Sequence, residues 1–544
     1  MSRSTYAHPW LRTLSAALWL SCGALACESD DDSADDTADK ESSAKDASDA
    51  KKSESKTETA ASDNKKTAES DDKPAATSGK ALTEQVKTAD GPVKGEAVDA
   101  DGKQVHIFRG LPYAAPPVAD LRWKAPQPVK AWTETRDATQ WGDRAPQAES
   151  TAGSDDALGG MSEDCLNLNV ITPAQQSSDK LPVMVFFHGG GLSILTGNST
   201  TYCNTALPLN GVVVVTVNHR LGPFGYFSHP ALADESEHDS SGNYGTLDLV
   251  ASLKWVQKNI AAFGGDPDNV TIFGESGGGS KVLSCMASPL AKGLFHRAII
   301  ESGSRSSTPE GTTKREDAEQ AGERVAEKLG VNKDSKDALK ELRSRSWKEV
   351  LDASAAEGVN YQANLSIDGW VLPKSVHDTF KDGEQSDVPL IVGANEGEVG
   401  ELMEVVPNLA KSMETVSSKA YIYVFSHLPP AWRKNGCIAF HGVELPYVFG
   451  NLDGLLSPTI VFLQVRGGCA AGDPEVDDLD REVAKRTMRI WSQFAKTGKP
   501  SVDGLIDWPN FDAKNDKYLD IGEQLEVKSG VSKSGVMPPM AAMP

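Results

Sequence analysis

The chain is predicted to fold as an α/β protein with a mostly parallel central sheet, helices on both faces and helical insertions. Three observations predict this. Continuous apolar, β-branched runs recur along the chain, helical stretches alternate with them, and two glycine-rich turns follow directly on two of the runs. Strands covered on both faces lose the polar alternation of a half-exposed sheet. Strand–helix alternation then calls for a parallel sheet with helices packed on either side.

The strand-like runs lie at residues 166–171, 183–187, 212–215 and 270–273. Between the last two, residues 246–259 read as a helix, with Leu247, Val250, Ala251 and Trp255 at helical spacing. Residues 312–352, rich in Glu, Lys, Ala and Leu, read as surface helices inserted between core elements. A further amphipathic helix is expected at 487–495, before Gly498-Lys499-Pro500.

At 39% hydrophobic and 24% charged residues, the 544-residue chain has the composition of a globular protein. A formal net charge of −22 argues against nucleic acid as a partner, because that requires a basic footprint. The first eighty residues depart from globular expectation. Residues 1–26 read as an export signal, with Arg3 and Arg12 ahead of an apolar stretch at 14–26 that is too short to span a bilayer. It ends in Gly23-Ala24-Leu25-Ala26-Cys27, which resembles a bacterial lipobox, so Cys27 is the expected lipidation site. Residues 28–80 contain 16 acidic and 9 basic residues and no aromatic, Leu, Ile or Val. Such a stretch buries too little apolar surface to offset chain entropy. Residues 27–81 are therefore expected to be a disordered acidic tether, and residues 82–544 the folded domain. The expected location is exported and lipid-anchored to the bacterial cell envelope, with Glu28 after Cys27 leaning towards the outer membrane.

The sharpest motif is Gly274-Glu275-Ser276-Gly277-Gly278, entered directly from the run at 270–273. A strand-to-helix turn this tight needs small residues beside the Ser, and it lifts the hydroxyl out of the sheet at a helix N-terminus. Negative charge that develops there lies near the positive helix end. Ser276 is the candidate nucleophile. His188-Gly189-Gly190-Gly191 closes another strand-like run, with Gly191 85 residues before Ser276. Glycines let backbone approach an acyl oxygen closely, so the N–H groups of Gly190, Gly191 and Gly277 are the expected oxyanion hole.

A serine hydroxyl needs a neighbouring base. In the α/β-hydrolase fold, to which the two turns point, the chain order is Ser, acid, His. Downstream of Ser276 lie His296, His377, His427 and His441. His296 follows closely, in a stretch expected to be helical. His377 sits in an amphipathic stretch, and His427 follows strand-like residues 421–425. His441 is followed by Gly442, which suits a loop at a strand's end, and its position favours it.

Several ordered blocks resemble the type-B carboxylesterase and cholinesterase family over nearly all of residues 90–515. Phe108-Arg109-Gly110-Leu111-Pro112-Tyr113-Ala114 and Leu121-Arg122-Trp123 are similar to its opening, and Ser162-Glu163-Asp164-Cys165-Leu166-Asn167 to its second signature. Asn218-His219-Arg220-Leu221-Gly222 and Gly242-Asn243-Tyr244-Gly245 resemble central blocks. Phe263-Gly264-Gly265-Asp266-Pro267 through Gly278 resembles the nucleophile signature, and His441-Gly442-Val443-Glu444-Leu445-Pro446 the block that carries the catalytic His. The resemblance implies a serine carboxylesterase that cleaves a small-molecule ester through an acyl-enzyme on Ser276, with His441 as base and a Glu as acid. It implies no metal, nucleotide or flavin cofactor.

The family pattern places the acid five residues beyond a Gly that ends a strand and follows it with Gly. Glu398 lies five beyond Gly393, but Val399 follows it, and the Glu-Gly pair belongs to Glu396. Strand-to-acid spacing favours Glu398, with Glu396 as the alternative. The resemblance also implies structural ion pairs, Arg122 with Glu163 and Arg220 with Asp248, and makes Glu275 and Ser302 candidate supporting groups. Cys165 matches a position that is usually disulfide-bonded, yet its usual partner position reads Arg144-Ala145-Pro146-Gln147. Five cysteines fall in the folded part, so at least one is free. Cys437 and Cys469 flank the His441 loop and are a candidate bridge. Two rivals to the esterase reading are a non-catalytic binding or adhesion protein on the same fold, and a lipase, amidase or thioesterase with the same triad.

Overall fold

The structure, a computed structural model, describes residues 80–148, 159–332, 335–469 and 472–531. The export signal at 1–26, the lipidation site Cys27 and nearly all of the 27–81 tether lie outside the described residues.

Eleven strands form one sheet. In chain order they are β1 (Glu96–Ala100), β2 (Lys103–Pro112), β3 (Asn167–Thr172), β4 (Leu181–Phe187), β5 (Val213–Val217), β6 (Gly265–Glu275), β7 (Arg297–Glu301), β8 (Leu390–Asn395), β9 (Ala420–Phe425), β10 (Lys517–Ile521) and β11 (Leu525–Ser529). Their spatial order is β11-β10-β9-β8-β7-β6-β4-β5-β3-β2-β1. The seven strands from β10 to β5 are mutually parallel, while β11 at one edge and β3, β2 and β1 at the other pair antiparallel. Every residue of β3, β5 and β8 is buried; β5 and most of β8 therefore read as apolar runs, whereas β3 buries Asn167 and Asn169 with their side-chain amides hydrogen-bonded.

Alternate residues of one strand face opposite layers. Val183, Val185 and Phe187 of β4 join a core with Leu249 and Leu253 of α1 (Tyr244–Asn259) and Val282 and Met286 of α2 (Gly277–Ala287). Met184 and Phe186 point the other way, into a core with Ile490, Trp491 and Phe494 of the long C-terminal helix Asp478–Thr497. The expected insertion at 312–352 is three helices, Arg315–Lys328, Ala338–Ser344 and Trp347–Ser354, which close a third apolar cluster over Phe224 and Phe227.

Both expected ion pairs form. Arg122 meets Glu163 at 2.5 Å, and the fully buried Arg220–Asp248 pair closes at 2.7 Å. Removing one partner of such a buried pair strands the other charge. Cys437 and Cys469 form a disulfide, and Cys165, Cys203 and Cys285 are free and buried. Among the described residues no helix is long and apolar enough to cross a membrane.

Register decides where chemistry can gather. Phe187 of β4 lies beside Gly274 of β6, Glu275 beside Glu301 of β7, and Glu301 beside Gly393 of β8. Four adjacent parallel strands thus end abreast, and the turns leaving them share one edge of the sheet. In open α/β sheets that carboxyl edge is where ligands bind.

Candidate active site

Ser276 occupies the turn between β6 and α2 with φ 57° and ψ −122°, a backbone conformation that costs energy for any residue with a Cβ. The neighbours make the turn possible. A Cβ on Gly277 would collide with the carbonyl of Gly191, and one on Gly278 with the carbonyl of Phe187. The turn is fastened from the side, where the Ser276 N–H donates to the Glu301 carbonyl at 2.8 Å. As the first residue of α2, Gly277 has an N–H with no intrahelical acceptor.

The turn after β4 folds back over this elbow. Gly190 and Gly191 have φ of 79° and 60°, which glycine adopts without penalty. Behind them Lys281 of α2 is completely buried, and its ammonium donates to the His188 carbonyl at 2.7 Å, with the Gly189 carbonyl 3.5 Å away. Burial pulls the Lys281 pKa down to about 7 against the opposing pull of Glu275.

His441 lies on a turn ended by Gly442 at φ 79°. Its Nδ1 is 2.5 Å from Glu398 Oε1. The other Glu398 oxygen accepts from the Ser302 hydroxyl at 2.7 Å and from the Asn395 N–H at 2.8 Å. The His441 turn is itself tied to the end of β8, since Asn395 Nδ2 donates to the Phe440 carbonyl at 2.8 Å and the Gly397 N–H to the Ala439 carbonyl at 2.9 Å. Against expectation, no strand precedes His441, which follows an irregular stretch held by these side-chain and backbone bonds.

The competing residues are engaged elsewhere. Burial raises the Glu396 carboxyl, and the charges that act on it are Asp520, Lys528 and Arg433 rather than His441. His296 is not helical as expected but precedes β7, where its Nδ1 accepts from the Val270 N–H at 3.0 Å. His377 Nδ1 meets the Ser307 carbonyl at 2.9 Å, and His427 Nε2 meets Asp480 at 2.7 Å in the core. Ser276, Glu398, His441, Gly190 and Gly191 all line one cavity of about 680 Å³, with Ile194, Leu195 and Phe440 among its apolar walls.

Electrostatically the site is acidic. Glu275 Oε1 lies 3.2 Å from His441 Nε2, and its side chain is buried. Burial, opposed by His441 and reinforced by Glu444 and Glu398, holds the Glu275 carboxyl above the carboxylate range. Burial would lower the pKa of His441, but Glu275 and Glu398 outweigh it and hold the imidazole above its ordinary value. Two further buried carboxyls stand behind these. Glu301 accepts from the Trp491 indole at 2.6 Å and is raised to about 8 by burial. Glu444 shares a hydrogen bond with Asn395. The sequence reading passed over Lys281, Glu301, Asn395 and Glu444. For Lys281 a signal existed, a lone cation entering the apolar run Val282-Leu283 of the helix that follows the Ser276 turn. Among the described residues no group of His, Cys, Asp and Glu side chains is placed to hold a metal ion.

A parallel sheet whose strands end at a strained serine elbow, a glycine turn and an acid–imidazole pair is an α/β-hydrolase. The carboxylesterase family model matches residues 82–416 and 401–536, and the chain belongs to that family. It is a carboxylic ester hydrolase. Among its relatives, the para-nitrobenzyl esterase of Bacillus subtilis (strain 168) is 32% identical, over 82% of this chain and 97% of that protein. The fumonisin B1 esterase of Sphingopyxis macrogoltabida is 32% identical over 82% of this chain and 88% of that protein. A solved PNB esterase structure matches with a TM-score of 0.70 at 31% identity, covering 82% of this chain and 97% of that one. A Geobacillus stearothermophilus carboxylesterase structure matches at 0.69 and 28% identity, covering 82% and 98%.

Proposed function

We propose that the chain cleaves carboxylic esters through an acyl-enzyme on Ser276, with His441 as base and Glu398 as the acid that orients it. The observation that carries this reading is the 2.5 Å contact of His441 Nδ1 with Glu398, in the cavity that Ser276 also lines. With Nδ1 bound to the Glu398 carboxylate, Nε2, which lies 3.2 Å from Glu275 Oε1, is the nitrogen left to exchange protons with substrate. The Ser276 hydroxyl attacks the ester carbonyl carbon, and its proton passes to Nε2. The oxygen that becomes negative is met by the N–H groups of Gly190, Gly191 and Gly277. Collapse breaks the bond to the alkoxy group, which leaves as the alcohol with the proton from His441. Water then attacks the acyl-enzyme by the same proton path and releases the acid. The test is hydrolysis of p-nitrophenyl butyrate, with fluorophosphonate labelling, by the full chain beside Ser276→Ala. Both signals should vanish in the mutant, with a loss in kcat on the order of 10⁶-fold. A mutant that retains activity overturns Ser276 as the nucleophile.

The N-terminal sequence supports a lipid anchor at Cys27 on an acidic tether, holding this hydrolase at the cell envelope. Labelled palmitate incorporated by the native chain and lost in Cys27→Ala is the expected result, and equal incorporation in both refutes it.

A further inference from the structure

Six large apolar side chains are exposed among the described residues, and five of them, Ile438, Leu456, Val461, Phe462 and Val465, fall within 438–465. Three of the five lie on one helix, Pro458–Arg466. That helix is turned against the usual rule. Its buried residues are Ile460 and the polar Gln464, while Val465 is 68% exposed. A helix that only had to pack on its own protein would place Gln464 outward and Val465 inward. Leu456, in the preceding turn, is 56% exposed. A clustered apolar surface of this kind marks an interaction site rather than chance exposure.

Its position says what the surface meets. Ile438 and Phe462 belong both to the exposed set and to the lining of the cavity that holds Ser276 and His441, so the apolar face is continuous with the mouth of the site. The Cys437–Cys469 disulfide closes the base of the whole segment, which includes His441. Charge narrows the partner. A chain of net charge −22 is repelled by an anionic phospholipid surface and not by a neutral one.

We infer that this face docks on the surface of aggregated, neutral, water-insoluble esters and delivers single molecules from that surface into the cavity. The inference rests on the ester-hydrolase reading and adds its substrate class. Val461, Val465 and Leu456 touch the aggregate without lining the cavity, whereas Phe462 and Ile438 form the passage between the two.

The test uses the full chain carrying Cys27→Ala, so that no acyl group at that residue contributes to binding. Initial rates on tributyrin are followed from below to above its solubility limit, with and without Leu456→Ser, Val461→Ser and Val465→Ser together. The expected result is a rate that climbs several-fold once droplets form. The triple variant should keep the dissolved-ester rate, which also reports that it is folded, and lose the climb. A parent rate that saturates smoothly through the solubility limit overturns the inference, as does a triple variant that climbs equally. A dimer in sedimentation that the triple variant dissolves also overturns it, because a second copy would then be what covers the face. So does parent binding to anionic phospholipid vesicles in preference to triolein droplets. Flotation of the Ser276→Ala chain with triolein droplets separates the two readings. A chain that floats but whose parent cleaves neither dissolved nor emulsified ester keeps the surface and sinks the hydrolase mechanism.

Discussion

The Lys281 ammonium donates at 2.7 Å to the His188 carbonyl, so a buried cation on the helix behind the elbow holds down the glycine turn in front of it. Catalytic donors gain their effect from being fixed before the reaction begins. Lys281 is fully buried and does not line the cavity, so it can act only by positioning that turn. Lys281→Met, nearly isosteric but without a donor, should lower kcat about ten- to a hundredfold, somewhat less than deleting an oxyanion donor outright. KM for p-nitrophenyl butyrate should change little, because ground-state contacts in the cavity are untouched. A mutant that loses KM and kcat together would assign Lys281 to general packing instead.

The acid of the proposed triad is separable from its alternative by one pair of variants. Glu398→Gln keeps the volume but removes the charge beside His441 Nδ1 and favours the wrong tautomer, so kcat should fall by about 10³- to 10⁴-fold. Glu396→Gln should leave kcat unchanged, since the carboxylate on His441 Nδ1 is Glu398 and the charges acting on Glu396 are Asp520, Lys528 and Arg433. Ser302→Ala removes the 2.7 Å hydrogen bond that steadies the second Glu398 oxygen. That single charge-assisted bond should be worth roughly tenfold in kcat. Steady-state kinetics of the three variants checks all three outcomes.

Much of this arrangement was legible in the sequence because it depends on local rules. Runs such as residues 212–215 announce a strand buried on both faces, and Gly277 and Gly278 mark a turn with no room for a Cβ. Strand-to-acid spacing favoured Glu398 over Glu396 even though the following Gly pointed the other way, because reach from the end of β8 decides which carboxylate meets the imidazole. The seat of His441 was not legible. It is held by Asn395, Gly397 and the carbonyls of residues 439 and 440, contacts between segments more than forty positions apart that no local pattern encodes. Glu301 and Glu444 were missed for the same reason. An isolated Glu reads as surface until the sheet register brings Glu275 beside Glu301.

Glu301 makes stability depend on pH in a stated direction. Burial raises its folded-state pKa to about 8 from an ordinary value of 4.5. The folded chain therefore keeps a proton that the unfolded chain releases, and stability falls as pH rises through that window. Its contribution is fully present below pH 4.5 and lost by about pH 8. Glu301→Gln still accepts from the Trp491 indole and removes the titration. Its stability relative to the native chain should grow as pH increases, with a ceiling of about 5 kcal/mol. Urea melts of both proteins at pH 5 and pH 8 measure this, and parallel curves at both pH values would contradict it.

Glu275 and His441 make the sharper case, because their titration reaches the reaction itself. With 3.2 Å between Glu275 Oε1 and His441 Nε2, the two groups compete for one proton and titrate as a pair. The carboxylate favours the protonated imidazole, which in the proposed mechanism cannot accept the Ser276 proton, so the acidic limb of kcat/KM is expected to follow the raised His441 pKa. Glu275→Gln removes that bias and leaves the Glu398 contact in place. The limb should move to lower pH by about one unit, and activity on the acid side should rise while the alkaline plateau holds or falls. The sign discriminates between roles. Were Glu275 only a packing residue, its replacement would scale the whole pH–rate profile down without displacing it, and a profile of kcat/KM from pH 5 to pH 11, spanning the His441 pKa of about 10, distinguishes a displaced limb from a scaled one.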